Sequence, residues 1–155
     1  MKNVVSDNKR VILIIDDDCA FQLLLHKRLE ASGFECFHAL SIKNGIKVLD
    51  EIKPDLILLD IVFEGDTYDA SDFLRLVRDH ILTTRKEVPP ILIISSVHDK
   101  EVVSNLLSSG ASAYIGKPYE PAALLSIIKE YVRKMPDKID SKKVASPEQK
   151  NRIAS

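Results

Sequence analysis

The residues most able to do chemistry in this chain each follow a short apolar run. There are four such features: Asp16-Asp17-Asp18, Asp60, Ser95-Ser96 and Lys117-Pro118. Carboxylates that lie together repel one another unless a hard cation sits between them, and Mg²⁺ is the usual cation at such sites. A lysine and a hydroxyl beside them would donate hydrogen bonds to the oxygens of a phosphoryl group. If the four features converge, they predict Mg²⁺-dependent phosphoryl chemistry on a carboxylate.

Five apolar runs have the length of a strand: VILII (Val11 to Ile15), FECFHA (Phe34 to Ala39), DLILLD (Asp55 to Asp60), ILIIS (Ile91 to Ser95) and AYI (Ala113 to Ile115). Three of them are apolar at successive positions, which is typical of inner strands in a parallel sheet with helices on both faces. Because the carboxyl ends of parallel strands share one edge, we expect the four polar features to meet there.

Apolar residues at helical spacing fill the segments between the runs. The predicted inward stripes are Phe21, Leu24, Leu25 and Leu29; Ile42, Ile46, Leu49 and Ile52; Phe73, Leu74, Val77 and Ile81; Val102, Val103, Leu106 and Leu107; and Leu124, Leu125, Ile128 and Val132. Gly33 and Gly110 are expected to follow helix ends in the left-handed conformation, and Ser41 to cap a helix start. The strict alternation predicts an α/β, doubly wound domain with a five-stranded parallel sheet and five helices.

Composition argues against several classes of function. The chain has 155 residues, 45% of them apolar, which is enough for one sizeable core. A formal net charge of -1 argues against direct binding of nucleic acid, and no apolar run approaches the roughly 18 residues of a membrane span. Two cysteines without a C-x-x-C spacing indicate neither a disulfide scaffold nor a zinc site, so a cytoplasmic protein is expected. The histidines show no mutual spacing typical of a metal site; they are His26, His38, His80 and His98.

The two ends of the chain differ from its body. Residues 1–9 are polar, and residues 136–155 carry more basic than acidic side chains, with few apolar ones. We therefore predict a flexible N-terminal flank at 1–9, one folded domain at 10–135 and a flexible C-terminal tail at 136–155.

Each polar feature also has a simpler explanation when it is taken alone. Asp18 is able to cap the first helix, and Ser95 or Ser96 is able to cap the fourth. An isolated Lys117 is typical of a solvated charge, and an isolated Tyr114 is typical of a core aromatic. The order of acidic cluster, single acid, hydroxyl and Lys-Pro, each at its own strand end, favours one shared site.

In this combination the sequence resembles the receiver domains of two-component response regulators, from about Arg10 to Lys134. The resemblance implies the flavodoxin-like strand order 2-1-3-4-5 and a cis bond between Lys117 and Pro118. It also implies a sensor histidine kinase or histidine phosphotransfer protein as phosphoryl donor, and a downstream protein target.

The same resemblance assigns a role to each site residue. It implies that Asp17 binds Mg²⁺ directly, that Asp16 acts on the metal through water, and that the Val62 backbone carbonyl is a further ligand. Asp60 is then both a metal ligand and the phosphoacceptor.

The remaining site residues would act on the phosphoryl group. Lys117 and Ser95 would contact it, and Tyr114 would be the aromatic switch residue that turns inward when the Ser95 hydroxyl moves. The positions that tune phosphoryl lifetime in the family correspond to Val62 and Val97, whose apolar side chains imply slow self-dephosphorylation. The resemblance implies a phosphoacceptor that is not otherwise an enzyme.

One segment departs from the family pattern and leaves alternatives open. Residues 61–70 (IVFEGDTYDA) lack the usual proline, place Gly65 early and are about two residues longer than the usual loop. A receiver-like interaction module without phosphorylation is therefore one alternative. A Mg²⁺-dependent phosphohydrolase of the haloacid-dehalogenase type is another, because Asp16-Asp17-Asp18 imitates its Asp-x-Asp motif, although the rest of that pattern is absent.

Overall fold

The computed structural model describes residues 9–61, 70–84 and 87–138, and within these ranges strands and helices alternate along the chain. The strands are β1 (Val11–Ile15), β2 (Glu35–Ala39), β3 (Leu56–Asp60), β4 (Ile91–Ser95) and β5 (Ala113–Gly116). The helices are α1 (Cys19–Ala31), α2 (Ile42–Ile52), α3 (Ala70–Thr84), α4 (Lys100–Ser108) and α5 (Pro121–Arg133). The predicted alternation of five strands with five helices is confirmed.

All neighbouring strands pair in parallel, in the order β2-β1-β3-β4-β5. The order implied by the resemblance is therefore confirmed. In the register of the sheet, Asp60 pairs with Ile94 and Ser95 pairs with Gly116, the residue before Lys117. The ends of β1, β3, β4 and β5 consequently form one edge, which we call the carboxyl edge and which holds Asp16, Asp60, Ser95 and Lys117.

Helices cover both faces of the sheet. Successive side chains of a strand point to opposite faces, so the continuous apolar runs of β1 and β3 feed two separate cores. On one face, Leu13 and Ile57 pack with Phe73 and other side chains of α2, α3 and α4. On the other face, Ile12 and Leu58 pack with side chains of α1 and α5. The carboxyl edge therefore stands on a sheet that is fixed from both sides.

Local signals set several helix ends as predicted. Gly33 and Gly110 follow α1 and α4 with φ values of +92° and +118°, which side chains with a Cβ rarely adopt. At the start of α2, the Ser41 hydroxyl accepts a hydrogen bond from the Asn44 amide at 3.1 Å. The side chain that caps α4 is Asp99, whose carboxylate accepts from the amides of Glu101 and Val102. The alternative that Ser95 or Ser96 caps this helix was therefore wrong.

Two residues that were predicted to face inward are exposed. Leu24 on α1 is 55% exposed and Leu107 on α4 is 42% exposed. The buried stripe of α1 contains Gln22, Leu25 and Leu29 instead, and their spacing of three and four residues defines one helix face. Leu24 is wrong as a core residue because it is adjacent to this stripe and not part of it. The side chains of Phe21 and Ile81, predicted to be inward, lie outside those that the structure describes.

The opposite edge of the sheet is held by polar contacts. Asp55 accepts a hydrogen bond from the Val11 amide at 2.7 Å and pairs with Arg10 at 3.5 Å and Lys138 at 2.8 Å. At the start of the predicted tail, Pro136 contacts Arg10, and Lys138 contacts Lys9 and Asp55. The domain boundaries themselves stay predictions. In the ranges that the structure describes, every helix is too short or too polar to cross a membrane.

Candidate functional site

Asp60 and Lys117 form the centre of the carboxyl edge. Asp60 ends β3 and its side chain is 5% exposed. Its Oδ2 atom accepts a hydrogen bond from Nζ of Lys117, which makes an ion pair between the ends of β3 and β5. The backbone amide of Lys117 donates to the Ser95 carbonyl at 2.8 Å. Three residues that the sequence predicted to share a site are therefore neighbours.

Asp16 brings a second carboxylate to Asp60. Asp16 as a whole is 3% exposed, and its Oδ1 atom accepts a hydrogen bond from the Asp18 amide at 2.8 Å. Its Oδ2 atom is buried without a hydrogen-bond partner. Burial raises the pKa of Asp16 to about 7; the Asp60 carboxylate adds to this rise, whereas the Asp18 amide and the Lys117 ammonium oppose it. The carboxylates of Asp16 and Asp60 thus lie together in a poorly solvated site with the ammonium group of Lys117.

This donor set fits a hard cation. A buried carboxylate oxygen without a partner, beside a second carboxylate, suits Mg²⁺, which takes one or two protein carboxylates and completes its shell with water. Asp17 is exposed, and among the residues that the structure describes no three His, Cys, Asp or Glu side chains converge on one point. The structure therefore brings together two of the predicted carboxylate ligands. Val62 lies outside the described residues, so its carbonyl ligand stays a prediction.

Asp16→Asn is expected to stabilise the metal-free protein. At pH 8, where Asp16 with a pKa of about 7 is ionised, the substitution removes one of two neighbouring buried charges and keeps an oxygen for the Asp18 amide. We therefore expect the free energy of unfolding to rise by about 1 kcal/mol, or a few degrees in Tm. Thermal denaturation with and without millimolar MgCl₂ tests this, because the wild type should gain stability from Mg²⁺ and the variant should gain much less. Asp18→Asn is the matched control at an exposed neighbour. A variant that is less stable than wild type in metal-free buffer would contradict the prediction.

Ser95 and Tyr114 both contact Val97, in the loop between β4 and α4. Ser95 is fully buried, and its hydroxyl oxygen accepts a hydrogen bond from the Val97 amide at 3.1 Å. The hydroxyl of Tyr114, on β5, donates to the Val97 carbonyl. Tyr114 is half-buried and packs against the core beneath α4. The two predicted switch residues therefore contact the same residue, Ser95 at the amide and Tyr114 at the carbonyl of Val97.

An apolar groove lies next to the lysine. The peptide bond between Lys117 and Pro118 is cis, as the resemblance implied. Beyond it, a groove of about 490 Å³ is lined by residues of α1 and of the segment that leads into α5: Asp18, Leu24, Leu25, Arg28, Ser96, Lys117, Pro118, Tyr119 and Pro121. Burial raises the pKa of Tyr119 to about 12, and the Asp16 and Asp60 carboxylates add to the rise, so its hydroxyl stays protonated at neutral pH.

Two further residues support the site although the sequence did not single them out. Gln22 is 4% exposed, and its side-chain amide donates to the carbonyls of Asp16 and Ala39, which ties the ends of β1 and β2 together. Tyr119 forms part of the wall of the groove beside Lys117. In the sequence, Gln22 is a polar residue at helical spacing from Leu25 and Leu29. This signal is recognisable only once the buried face of α1 is known.

Sequence comparison gives one consistent result. Residues 12–129 match the model of the response regulator receiver domain. The phosphate regulon transcriptional regulatory protein PhoB of Pseudomonas aeruginosa is 31% identical over 125 residues, which are 81% of this chain and 52% of that protein. The transcriptional regulatory protein AfsQ1 of Streptomyces coelicolor is 32% identical over 123 residues, 79% of this chain and 51% of that protein. The chain thus spans about half the length of the curated relatives it matches.

Solved structures agree with the sequence comparison. A two-component response regulator from Clostridium difficile superimposes with a TM-score of 0.74 at 26% identity, covering 83% of this chain and 100% of that one. A CheY-like receiver domain protein from Methanospirillum hungatei JF-1 gives a TM-score of 0.69 at 28% identity, with 81% and 95% coverage. The BeF₃-activated receiver domain of RstA from Klebsiella pneumoniae gives 0.70 at 26% identity, with 81% and 100% coverage.

Proposed function

The chain belongs to the response regulator receiver family, and from this premise we propose that Asp60 accepts a phosphoryl group in a Mg²⁺-dependent transfer. The observation that carries the proposal is the ion pair of Asp60 with Lys117 beside the unpartnered, buried Oδ2 atom of Asp16. A nucleophilic carboxylate, a fixed cationic donor and a place for a divalent cation are the three requirements of phosphoryl transfer to an aspartate. The phosphohydrolase alternative has no comparable support.

The transfer exchanges one bond to phosphorus for another. A carboxylate oxygen of Asp60 attacks the phosphorus of a phosphohistidine, the P–N bond breaks, and the donor imidazole leaves with the electron pair of that bond. Lys117 stays within reach of the oxygens that carry the charge and orients them. When bound, Mg²⁺ neutralises further charge on these oxygens. The product is an acyl phosphate on Asp60, so the protein is a phosphoacceptor and not a turnover enzyme.

The proposed output acts through Ser95, Val97 and Tyr114. A phosphoryl group on Asp60 adds charge and hydrogen-bond acceptors next to Ser95, whose hydroxyl proton is free to be donated while its oxygen accepts from the Val97 amide. The Tyr114 hydroxyl already contacts the Val97 carbonyl. Phosphorylation therefore favours one arrangement of the segment between β4 and α4 over others, as a population shift. The expected docking face for a downstream protein target comprises α4, β5 and α5.

The proposed donor is a sensor histidine kinase or a histidine phosphotransfer protein. The groove beside Lys117 offers apolar contacts from Leu24, Pro118 and Pro121 at the approach to Asp60, which suits the side of a partner helix that carries the histidine. A cytoplasmic location, without direct contact to nucleic acid or insertion into a membrane, agrees with the charge and composition of the chain. The half-buried, apolar Val97 neither orients nor activates water, so slow self-dephosphorylation is expected.

Intact mass spectrometry after incubation with acetyl phosphate tests the proposed function. With Mg²⁺ we expect a single phosphoryl adduct, and with excess chelator we expect its loss, because the repulsion among Asp16, Asp60 and the donor is then uncompensated. Reductive trapping of the acyl phosphate followed by peptide mapping should place the adduct on Asp60. Absence of an adduct under all conditions, with the fold intact by circular dichroism, would instead support the interaction module without phosphorylation.

A further inference from the structure

Two histidines that are 12 residues apart in the sequence meet between α1 and β2. Nδ1 of His26 contacts Nε2 of His38, and the ring centroids are 4.6 Å apart with 21° between the ring planes. Each nitrogen lies on the rim of its ring. For the two nitrogens to touch while the ring centres are this far apart, both nitrogens must lie between the ring centres. The rings therefore meet edge to edge and nearly coplanar, and one of the two nitrogens donates a hydrogen bond to the other.

Glu30 determines which nitrogen of His26 is available. Its Oε1 atom lies 2.7 Å from Nε2 of His26, one helical turn along α1. A carboxylate only accepts hydrogen bonds, so Nε2 of His26 carries a proton, and Nδ1 of the neutral ring accepts the hydrogen bond from Nε2 of His38. Carboxylates hold metal-binding histidines in this way, with one ring nitrogen donating to the carboxylate and the other facing the metal.

We propose that His26 and His38 form a site for a borderline divalent transition cation, such as Ni²⁺, Cu²⁺ or Zn²⁺, with Glu30 as the residue that orients His26. Imidazole nitrogen suits these cations and does not suit Mg²⁺, which prefers oxygen, so Mg²⁺ does not compete for the histidine pair. Entry of a cation displaces the proton between the two nitrogens and moves them apart, which the surface position of His38 permits. Water completes the coordination, since among the described residues no third His, Cys, Asp or Glu side chain converges with the pair.

The surroundings favour a neutral His38, the form that binds metal. Partial burial of the His38 ring lowers its pKa, and the neighbouring His26 lowers it further, while Glu30 opposes this change. Cys36 lies on the same face of β2 two residues earlier but is buried. Burial raises the pKa of its thiol to about 12, and Glu30 and Glu35 add to the rise. Burial therefore disfavours the thiolate, the form in which Cys36 would compete as a ligand.

The occupied site would connect α1 to the edge strand β2. The predicted consequence is a rise in Tm with added cation, because a ligand that binds only the folded chain stabilises it. Gln22, one turn before His26, already connects α1 to the carbonyl of Ala39 next to His38. The cation would thus strengthen an existing link between these two elements without using a side chain of the phosphoacceptor site.

Titration of the full chain with Ni²⁺ in saturating MgCl₂, which competes with Ni²⁺ for the carboxylates of the carboxyl edge, tests the proposal. All proteins carry Cys19→Ser, which removes the exposed thiol as a second ligand. We expect one equivalent of Ni²⁺ by calorimetry, with binding at least about tenfold weaker in His26→Gln and in His38→Gln, since each variant loses one of two protein ligands. His80→Gln is the matched control, because His80 pairs with Asp50 between α2 and α3, and it should bind Ni²⁺ as the parent does.

Two further measurements keep the test independent of any effect on folding. Paramagnetic broadening by Ni²⁺ should be confined to amides of α1 and β2 around the pair. Glu30→Ala should weaken binding about tenfold, and Glu30→Gln less, because its amide oxygen still accepts from Nε2 of His26. Equal Ni²⁺ affinity in the parent, His26→Gln and His38→Gln would overturn the proposal, as would broadening centred elsewhere. Neither result would bear on the proposed phosphorylation of Asp60, because that proposal is tested separately with Mg²⁺.

Discussion

Asp60→Asn is expected to eliminate the phosphoryl adduct that the wild type forms with acetyl phosphate and Mg²⁺. The amide has nearly the size of the carboxylate but lacks its nucleophilic oxygen, so the attacking group is lost while the packing at the end of β3 is kept. The exposed carboxylates Asp17 and Asp18 are not expected to substitute for it, because the buried carboxylate that pairs with Nζ of Lys117 is that of Asp60. The measurement is the intact mass of both proteins over a time course.

The control for this experiment is Asp50→Asn. Asp50 is an exposed residue of α2 that pairs with His80 at 2.6 Å, and the substitution makes the same chemical change far from the carboxyl edge. It should leave the yield of adduct unchanged. Thermal denaturation of both variants checks that neither has unfolded. An adduct of wild-type yield in Asp60→Asn would show that another residue is the acceptor and would refute the role proposed for Asp60.

The fold was predictable from the sequence because its strongest signals are local. The runs VILII and DLILL are apolar at every position, and only a strand with helices on both faces buries such a run completely. Gly33 and Gly110 adopt positive φ angles where the helical patterns end. The strand order came from the family resemblance, since apolar patterning alone does not distinguish among the right-handed arrangements of five parallel strands.

The centre of the site was predictable because parallel strands end at one edge. Asp60, Ser95 and Lys117 are distant in sequence, yet each directly follows a strand, and the register of the sheet brings them together. What the sequence did not predict depends on the rotation of helices about their axes. Whether Leu24 or Gln22 faces the sheet is decided by tertiary packing, and both choices fit a helical period.

The contact between His26 and His38 also follows from packing that no sequence spacing records. One residue belongs to α1 and the other to β2, so their distance depends on how the helix lies across the edge strand. Metal-site motifs in sequences rely on fixed spacing within one element or turn, and this pair has none. For the same reason, the carbonyl of Val62 stays a prediction, because it belongs to the segment whose length departs from the family pattern.

Phe73→Ala is expected to destabilise the domain by about 3–5 kcal/mol, or roughly 10 °C in Tm, because it removes a large side chain from a core that cannot close around the gap. Phe73 is fully buried, on α3 between the helix and the sheet face that contains Leu13 and Ile57. Urea denaturation at constant temperature measures the loss directly. Leu107→Ala, at an exposed apolar position of α4, is the control and should change stability by about 0.5 kcal/mol or less. If the two variants lose similar stability, α3 does not pack on the sheet through Phe73. The packing described for the sheet face beneath the carboxyl edge would then be wrong.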